Sequence, residues 1–481
     1  MEGAGRGIEL RAVGEAVRVP LVVPVAIGAF FGAVSTRLPV GDSDVFWQLA
    51  LGRATLANGV QRIDMLSWTV TGQPTSIDQW LGQVLWAVAW QAGEWRGVVA
   101  LRAVAVALLV GLIVYLAMRE RPARPLAAVL AALPAIALSR FVWTERPELF
   151  GFICFALLIA LLRAGRTRSD AALLWVPPLI VGWANLHGSF ALGAILAIVV
   201  SIDGAIAQPA RRRMYAWTAA GSLLATLVTP AGIGTWTAPG FHLLHPPRSI
   251  QEWSVPDVTT LPGLLFFIVI VATLASALFA RTRARHEAVV LLPVLFVSLI
   301  ATRQMPLFAI AAVPYVAAYG GEAVTALAEM LRVQVPQLRS VARAPARATD
   351  AIALAGAAIV LAIMTAGGTP AADLSGYPVA ALPVLRTGPG LLNQYDWGGY
   401  LIASAPRTPV FVDGRLTPYV PAVLADYTTV IGVHPGWRDV IARRAITQLL
   451  VRPTDPVAVR ARDLGWPIRA SSDTFVLIDV P

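Results

Sequence analysis

The feature that most constrains this chain is a series of long apolar stretches separated by short polar connections. A helix needs about 20 mostly apolar residues to cross the hydrocarbon core of a bilayer, where every backbone polar group must be satisfied internally. Hydrophobic residues make up 57% of the sequence and charged residues 14%, against about 25% charged residues in soluble domains. The sequence therefore predicts a polytopic, all-α membrane domain.

Eleven stretches are candidate membrane spans. They are residues 18–38, 97–118, 125–138, 149–163, 171–184, 189–207, 214–229, 261–280, 287–302, 307–320 and 351–367. Several are shorter than a full crossing and could be tilted, broken or re-entrant, so the predicted number is about eleven, within one or two. The first stretch lacks a small-residue cleavage site, which favours a spanning helix over a removed signal peptide.

Arginines divide the connections into two alternating sets. One set, with the N-terminus and its Arg6, Arg11 and Arg18, is rich in arginine: Arg119, Arg121 and Arg124; Arg163, Arg166 and Arg168; Arg211, Arg212 and Arg213; Arg281, Arg283 and Arg285; Arg332, Arg339, Arg343 and Arg347. Loops with such clusters face the cytoplasm in membrane proteins. The net charge of +10 is thus a sign of topology, and we expect no nucleic-acid partner. The other connections, and the tail, are predicted to be extracytoplasmic.

Two regions differ in composition. Residues 1–367 are predicted to form the transmembrane domain, with a large first extracytoplasmic loop at 39–96, and residues 368–481 a small extracytoplasmic α/β domain. The tail contains turn residues and short apolar runs, among them Pro409–Asp413, Gln448–Val451 and Thr474–Val480, that are typical of strands.

The single cysteine, Cys154, lies within an apolar stretch. One cysteine excludes a disulfide within the chain and a cysteine-based metal site. The sequence leaves the cofactor and the oligomeric state open; a divalent metal is possible but is not indicated.

The first extracytoplasmic loop opens with Asp42 and Asp44, directly after the first predicted helix. A helix is predicted from Val45, and a second apolar-aromatic stretch, Ile77 to Trp90, could lie in the membrane interface. Two carboxylates at the membrane surface could act as bases. The simpler interpretation is that one of them caps the helix that follows.

The other extracytoplasmic connections are short and unusually polar. Their candidate site residues are Glu145, Arg146, Asn185, His187, Glu252 and Arg303. Each could be an ordinary ion pair, a packing histidine or a snorkelling side chain. Because all of them are predicted on one side, they can also converge on one cavity. A carboxylate there could accept a proton from an acceptor hydroxyl while Arg146 and Arg303 hold a phosphate. Such a site suits sugar transfer from a lipid-linked phosphate.

Several motifs, spread over nearly the whole chain, resemble those of a known group of proteins. They are the stretch from Asp42 to Arg53, Asp64 to Thr69, Asp78 to Leu81, Arg146-Pro147, Asn185 to Gly188, Glu252-Trp253, Arg303 to Pro306, Tyr395 to Tyr400 and Val412 to Arg415. They resemble a large group of bacterial membrane proteins that is similar to the GT-C glycosyltransferases.

This resemblance implies a GT-C-like fold in the bacterial cytoplasmic membrane, a polyprenyl-phosphate-linked sugar donor and a catalytic acid in the first outer loop. That acid would be Asp44 or Asp42. Asp413 and Arg415 of the tail are further candidate substrate-binding residues, since strand-end loops often carry function. Alternatively, they close a turn in which Arg415 pairs with Asp413 or Asp426.

Other functions remain possible from the sequence. The same arginines could serve a carrier or flippase for a lipid-linked or anionic substrate. His187 could act as the base of an acyltransferase, with Asn185 nearby. A structural or assembly role is also compatible with these residues. The sequence does not specify the sugar, the lipid or the acceptor.

Overall fold

The structure is a computed structural model that describes residues 21–75, 77, 79–120, 125–167, 169–244, 251–279, 285–333, 355–361, 363 and 371–481. Some sequence predictions lie outside these residues. They concern Arg6, Arg11, Arg18, Asp78, Arg121, Arg124, Arg168, Arg281, Arg283, Arg339, Arg343, Arg347 and most of the predicted span 351–367.

Helices dominate the first three quarters of the chain. They are α1 (Val22–Ser35), α2 (Asp44–Asn58), α3 (Trp80–Glu120), α4 (Pro125–Ser139), α5 (Glu148–Thr167), α6 (Asp170–Leu174), α7 (Val176–Leu186), α8 (Phe190–Ala207), α9 (Arg212–Ala225), α10 (Thr237–Leu244), α11 (Leu261–Phe279), α12 (Arg285–Ile300), α13 (Met305–Leu331) and α14 (355–361). Each predicted span overlaps a helix. Among the described residues, five helices (α3, α5, α8, α11 and α13) are long and apolar enough to cross a membrane. The chain is a multi-pass membrane protein.

Helices α1 and α3 pack together through small residues. A Cβ at Gly28 would lie 2.4 Å from the carbonyl oxygen of Ala107, and a Cβ at Gly32 would lie 2.6 Å from that of Ala103. Glycines four residues apart on one helix face allow two backbones to approach this closely. The end of α1, and the loop that follows it, are therefore fixed against α3.

Helix α3 is broken near its first third. Glu94 has φ 50° and ψ −133°, which is outside the helical region. The rings of Trp90 and Trp95 stack edge to face across this break, with centroids 4.6 Å apart. The part before the break corresponds to the apolar-aromatic stretch predicted at 77–90, and the part after it contains the predicted span 97–118.

Charged residues collect at the two ends of the helical bundle. At one end, Arg163 pairs with Glu120 at 3.2 Å and with Glu287 at 2.6 Å, and further pairs join Arg166 to Asp203 and Arg211 to Asp170. At the other end, Asp42 of the first long loop pairs with Arg146, and Glu252 pairs with both Arg146 and Arg303. The two sets of connections that the arginine pattern separates thus meet at opposite ends.

The tail forms a small mixed sheet with helices, as the sequence predicts. Its elements are β1 (Leu391–Asn393), α15 (Gly398–Ser404), α16 (Ala422–Ile431), α17 (Trp437–Arg443), β2 (Gln448–Val451), α18 (Pro456–Asp463), β3 (Ile468–Ser471) and β4 (Val476–Asp479). The strand order is β1-β2-β4-β3, with β1 parallel to β2 and the other pairs antiparallel. The apolar runs at 448–451 and 474–480 contain β2 and β4.

The run Pro409–Asp413 does not form the predicted strand. It makes one isolated parallel bridge, between Val410 and Ser67. The side chain of Asn393 takes the backbone hydrogen bonds that a ladder would use, since its Oδ1 accepts from Phe411 N at 2.8 Å and its Nδ2 donates to Val412 O at 2.9 Å. A buried amide thus replaces strand pairing.

Part of the first long loop joins the tail. Trp68 Nε1 donates to Leu391 O at 3.0 Å, and Thr69 Oγ1 donates to Phe411 O at 2.7 Å. The rings of Trp68 and Phe411 stack edge to face with centroids 5.4 Å apart. These contacts hold the tail directly over the first long loop.

A buried ionic cluster strengthens this junction. Arg415 donates to Asp413 at 2.8 and 2.6 Å, to Tyr419 Oη at 2.7 Å, and also to Asp64 of the first long loop. The Arg415 side chain is 5% exposed and both carboxylates are fully buried. Of the two partners considered from the sequence, Asp413 is the one that Arg415 contacts; Asp426 pairs with Arg443 and Arg444.

We expect Arg415→Met to destabilise the protein strongly, because it leaves Asp64 and Asp413 buried without their cation. Removing one partner of such a pair costs about 3–5 kcal/mol, so the midpoint of thermal unfolding in lipid nanodiscs should fall by several degrees. Arg443→Met is the control, since Arg443 is 60% exposed. Equal midpoints for the two variants would contradict a stabilising role for the cluster.

Candidate functional site

The two aspartates of the first long loop lie at the start of α2. The cap residue of α2 is Ser43, not an aspartate as the simpler interpretation expects, while Asp42 Oδ1 accepts the backbone N–H of Asp44 at 2.9 Å. Asp44 does not cap it. Its Oδ1 accepts from Trp47 Nε1 at 3.0 Å, one turn along the helix, and the side chain is 15% exposed. The Asp44 carboxylate is therefore held in place by a side chain and remains accessible.

Arg146, in the connection between α4 and α5, joins three carboxylates. Its Nε donates to Asp42 Oδ2 at 2.6 Å, its Nη2 lies 3.3 Å from Asp44 Oδ2, and its Nη1 lies 3.3 Å from Glu252 Oε2. All three nitrogens of the guanidinium are thus used. The planar arrangement of donors in arginine allows one side chain to hold groups from three directions.

Glu252 links this group to a second arginine. Its Oε1 accepts from Arg303 Nη1 at 2.8 Å, while Glu148, at the start of α5, accepts from Arg303 Nη2 at 2.8 Å. The Arg303 guanidinium also lies 5.0 Å from the ring centroid of Trp253, a cation–π contact. At 37% exposed, Glu252 is the most exposed of these charged groups.

The cluster holds more negative than positive groups. Four carboxylates (Asp42, Asp44, Glu148 and Glu252) surround two guanidiniums. Burial raises the pKa of Asp44 from 3.8 to about 7; Arg146 and the Trp47 hydrogen bond oppose that rise, whereas Asp42 and Glu252 add to it. Near neutral pH, Asp44 therefore exists in both its protonated and its ionised form.

The tail covers Asp44. A Cβ built on Gly414 would lie 1.9 Å from Asp44 Oδ1 and 3.0 Å from Trp47 Nε1, and one on Gly399 would lie 2.7 Å from Ser43 O. Glycine permits this approach because it has no side chain. The glycines of the motifs Tyr395–Tyr400 and Val412–Arg415 thus place the tail in contact with the start of α2.

Several predicted site residues lie apart from this cluster. Glu145 pairs instead with the buried Arg102 of α3. His187 Nδ1 lies 2.9 Å from Ser189 Oγ. Asn185 accepts from Trp80 Nε1 at 2.8 Å and donates to Val228 O at 2.8 Å. Asp413 and Arg415 belong to the buried cluster with Asp64. The structure therefore brings together five of the ten predicted residues: Asp42, Asp44, Arg146, Glu252 and Arg303.

Three residues of the cluster were not predicted as site residues: Trp47, Glu148 and Trp253. Trp47 follows Asp44 by three residues, a spacing that places both on one helix face. Glu148 directly follows the motif Arg146-Pro147, and Trp253 belongs to the motif Glu252-Trp253. Each of the three residues could thus have been found from its neighbours in the sequence. Glu148 and Arg303 are 155 residues apart, and nothing in the sequence indicates that they pair.

Among the residues that the structure describes, no three His, Cys, Asp or Glu side chains are grouped as they would be to hold a metal ion. Each carboxylate of the cluster has a guanidinium partner instead.

We predict that Asp44 makes stability depend on pH. Between pH 3.8 and about 7 the folded protein holds a proton on Asp44 that the unfolded chain has released. Stability therefore falls as pH rises through this window, by at most about 1.4 kcal/mol for each pH unit. Asp44→Asn removes this dependence. Thermal unfolding from pH 5 to 8 should show the midpoint of the wild type falling relative to that of Asp44→Asn; a constant difference would contradict the shifted pKa.

We also predict that Gly414→Ala displaces Asp44 and breaks its hydrogen bond with Trp47, because the added Cβ would overlap the carboxylate. In protein labelled with 5-fluorotryptophan, the ¹⁹F resonance that is lost in Trp47→Phe should shift in this variant. Gly376→Ala, also in the tail, is the control, since a Cβ there would have no atom within 4 Å. An unshifted resonance in Gly414→Ala would show that the tail does not press on Asp44.

Known proteins provide a comparison for the fold. No protein-family model matches the sequence, and no curated protein matches it. The structure is similar to the crystal structure of ArnT from Cupriavidus metallidurans bound to undecaprenyl phosphate, with a TM-score of 0.52 at 14% identity over 95% of this chain and 97% of that one. It is also similar to the oligosaccharyltransferase of Archaeoglobus fulgidus in the apo form, with a TM-score of 0.54 at 12% identity over 89% of this chain and 69% of that one.

These similarities span nearly the whole chain, including the tail, at identities that show the fold alone. The chain therefore has the GT-C-like fold that its motifs resemble.

Proposed function

We propose that this protein is a membrane glycosyltransferase that moves a sugar from a polyprenyl-phosphate donor to an acceptor hydroxyl or amide. The observation that carries this proposal is the Asp44 carboxyl, which has a pKa of about 7 and lies 3.3 Å from Arg146 at one end of the bundle. A general base works best when its pKa is close to the working pH. A neighbouring guanidinium suits a phosphate leaving group.

The reaction balances with one base. Asp44 takes the proton of the acceptor, the acceptor atom bonds to the anomeric carbon of the sugar, and the bond from that carbon to the phosphate oxygen breaks. The electron pair of this bond leaves with the polyprenyl phosphate. Because the leaving phosphate is a stable anion, no separate acid is needed to protonate it.

Asp44 suits the role of base better than Asp42. Asp42 uses Oδ1 for the backbone N–H of Asp44 and Oδ2 for Arg146 Nε at 2.6 Å, and its side chain is 7% exposed. Asp44 Oδ2 lies farther from Arg146, and its side chain is more exposed. We assign Asp42 the role of holding Arg146 beside the base.

Arg146 and Arg303 are the proposed phosphate ligands. Glu252 now lies between them and contacts both guanidiniums. Of the cluster's carboxylates it is the most exposed, so it is the one that an incoming phosphate displaces most easily. The phosphate dianion or diester would then bridge the two arginines in the position of the Glu252 carboxylate.

A recess next to the cluster suits the lipid part of the donor. It has a volume of about 530 Å³, and its lining includes Leu81, Val181, Leu227 and Asn185. Gly82, next to Leu81 of this lining, fits so closely against Pro147 that a Cβ would lie 2.6 Å from it, and Pro147 adjoins Arg146, which supports the use of this recess for the donor. In this proposal Asn185 and His187 support the donor site. Glu145, Asp413 and Arg415 affect substrate binding indirectly, because they hold the loops and the tail that surround the site.

The similar proteins support a lipid-linked donor. One is described as bound to undecaprenyl phosphate, and the archaeal oligosaccharyltransferase has also been crystallised tethered to an acceptor peptide. The archaeal protein is a transferase by name, which favours transfer over the carrier or flippase alternative. No described contact specifically favours an acyltransferase with His187 as base.

We further propose that about eleven helices cross the bacterial cytoplasmic membrane, with the N-terminus in the cytoplasm. The arginine-rich connections would then face the cytoplasm, and the cluster around Asp44 and the tail would face the opposite side. The segregation of ion pairs to the two ends of the bundle supports this topology.

The direct test is transfer from a panel of radiolabelled polyprenyl-phosphate sugars by the purified protein in lipid. We expect Asp44→Asn to lower turnover by about 10²–10⁴-fold, the usual contribution of a general base, while Asp42→Asn weakens it less. Asp396→Asn is the control, because this tail carboxylate is 55% exposed and pairs with Arg452. Unchanged turnover in both Asp44→Asn and Asp42→Asn would overturn the proposal.

A further inference from the structure

Arg102 is a buried charged residue outside the cluster around Asp44. Arg102 is the one charged residue of the predicted span 97–118, and its side chain is 1% exposed. A charged side chain near the centre of a membrane helix costs about 2.5–3.5 kcal/mol even on lenient scales, and such residues commonly serve a function.

The Arg102 guanidinium holds the end of α1 and the chain that leads from it to the aspartates. Its Nη2 donates to the carbonyl oxygens of Ser35 at 2.8 Å and Leu38 at 2.7 Å, and its Nη1 lies 3.3 Å from the carbonyl oxygen of Pro39. Asp42 follows Pro39 by three residues. Arg102 therefore fixes where the acidic segment begins.

The same guanidinium holds the other half of the cluster. Its Nη1 pairs with Glu145, a carboxylate that is also 1% exposed. The next residue along the chain is Arg146, whose Nε contacts Asp42 at 2.6 Å. One buried side chain thus contacts both connections that supply the closest ion pair of the site.

We propose that Arg102, with Glu145, is a positioning residue that sets the distance between Asp44 and Arg146. This inference rests on the proposed function for its effect on catalysis. Arg102 does not reach the reacting groups itself. Its loss would let the two connections separate, so that Arg146 no longer faces Asp44 and no longer holds the phosphate in line with the sugar.

A buried pair that only stabilises the fold would behave differently. Replacing both partners of such a pair with apolar side chains of similar size is often neutral or stabilising. The double variant Arg102→Met/Glu145→Leu therefore keeps the core filled but removes the contacts to Ser35, Leu38 and Pro39. The matched control is Arg163→Met/Glu287→Leu, which removes a buried pair at the opposite end of the bundle.

We expect the Arg102→Met/Glu145→Leu protein to unfold at a temperature close to that of the wild type while kcat for sugar transfer falls by about 10²-fold, as for a misplacement of about 1 Å. The acid limb of its pH–rate profile should move to higher pH, because Arg146 no longer favours the ionised form of Asp44. Arg102→Lys, which keeps the cation, should recover part of the rate. The control variant Arg163→Met/Glu287→Leu should leave kcat and the pH–rate profile unchanged.

A second measurement does not depend on turnover. Since Trp47 Nε1 donates to Asp44, the ¹⁹F resonance of 5-fluorotryptophan at Trp47 reports the titration of this carboxyl. Its midpoint should lie near 7 in the wild type and higher in Arg102→Met/Glu145→Leu. The other groups around Asp44 are the same in both proteins: Asp42, Glu252, Tyr377, Tyr395, Asp413 and Arg415.

The two measurements separate the inference from the proposed function. A shifted midpoint in a protein that transfers no sugar would support the positioning role and overturn the glycosyltransferase. A midpoint and a pH profile that are the same as in the wild type would overturn the positioning role, whether or not the wild type is active. If the double variant does not fold, the single variant Arg102→Gln, which removes the cation, supplies the same two readouts, and an unshifted midpoint there would also overturn the inference.

Discussion

The contact of Arg146 with Asp42 and Asp44 is the interaction on which the rest of the site depends. Without the guanidinium, two carboxylates at the start of α2 would repel each other in a partly buried position. With it, the connection after α1, the connection before α5 and the loop that carries Glu252 are held together. Glu252 then extends the network to Arg303 and Glu148. The ends of several helices are thus joined by charge at one end of the bundle.

The environment of Asp44 results from an imbalance in this network. Four carboxylates share two guanidiniums, and burial adds to the cost of ionising Asp44. The tail increases this burial, because Gly414 allows its backbone to lie against the carboxylate. The small C-terminal tail therefore affects the pKa of a residue at the start of α2. The buried cluster of Arg415, Asp413 and Asp64 contributes to this burial, because the cluster fixes the tail on the first long loop.

More of the fold than of the candidate site could be predicted from the sequence. Apolar stretches and arginine clusters depend on local composition, so the helices and the separation of the two ends of the bundle could be predicted without contacts. The tail was also recognisable, with β2 falling on the predicted residues 448–451. The prediction of a strand at Pro409–Asp413 was wrong, because the side chain of Asn393, which is distant in sequence, takes the backbone hydrogen bonds of this segment.

The sequence by itself determined that the chain is a membrane protein, that its polar connections alternate and that aspartates follow the first helix, because each of these depends on neighbouring residues. Only the tertiary structure decided which polar residues meet. Arg146 and Arg303 gather around Glu252, whereas Glu145 turns to Arg102 and Arg415 turns to Asp64. The physical reason is that a buried charge must find a partner of opposite sign, and the packing of the helices, the loops and the tail determines which partners lie within reach.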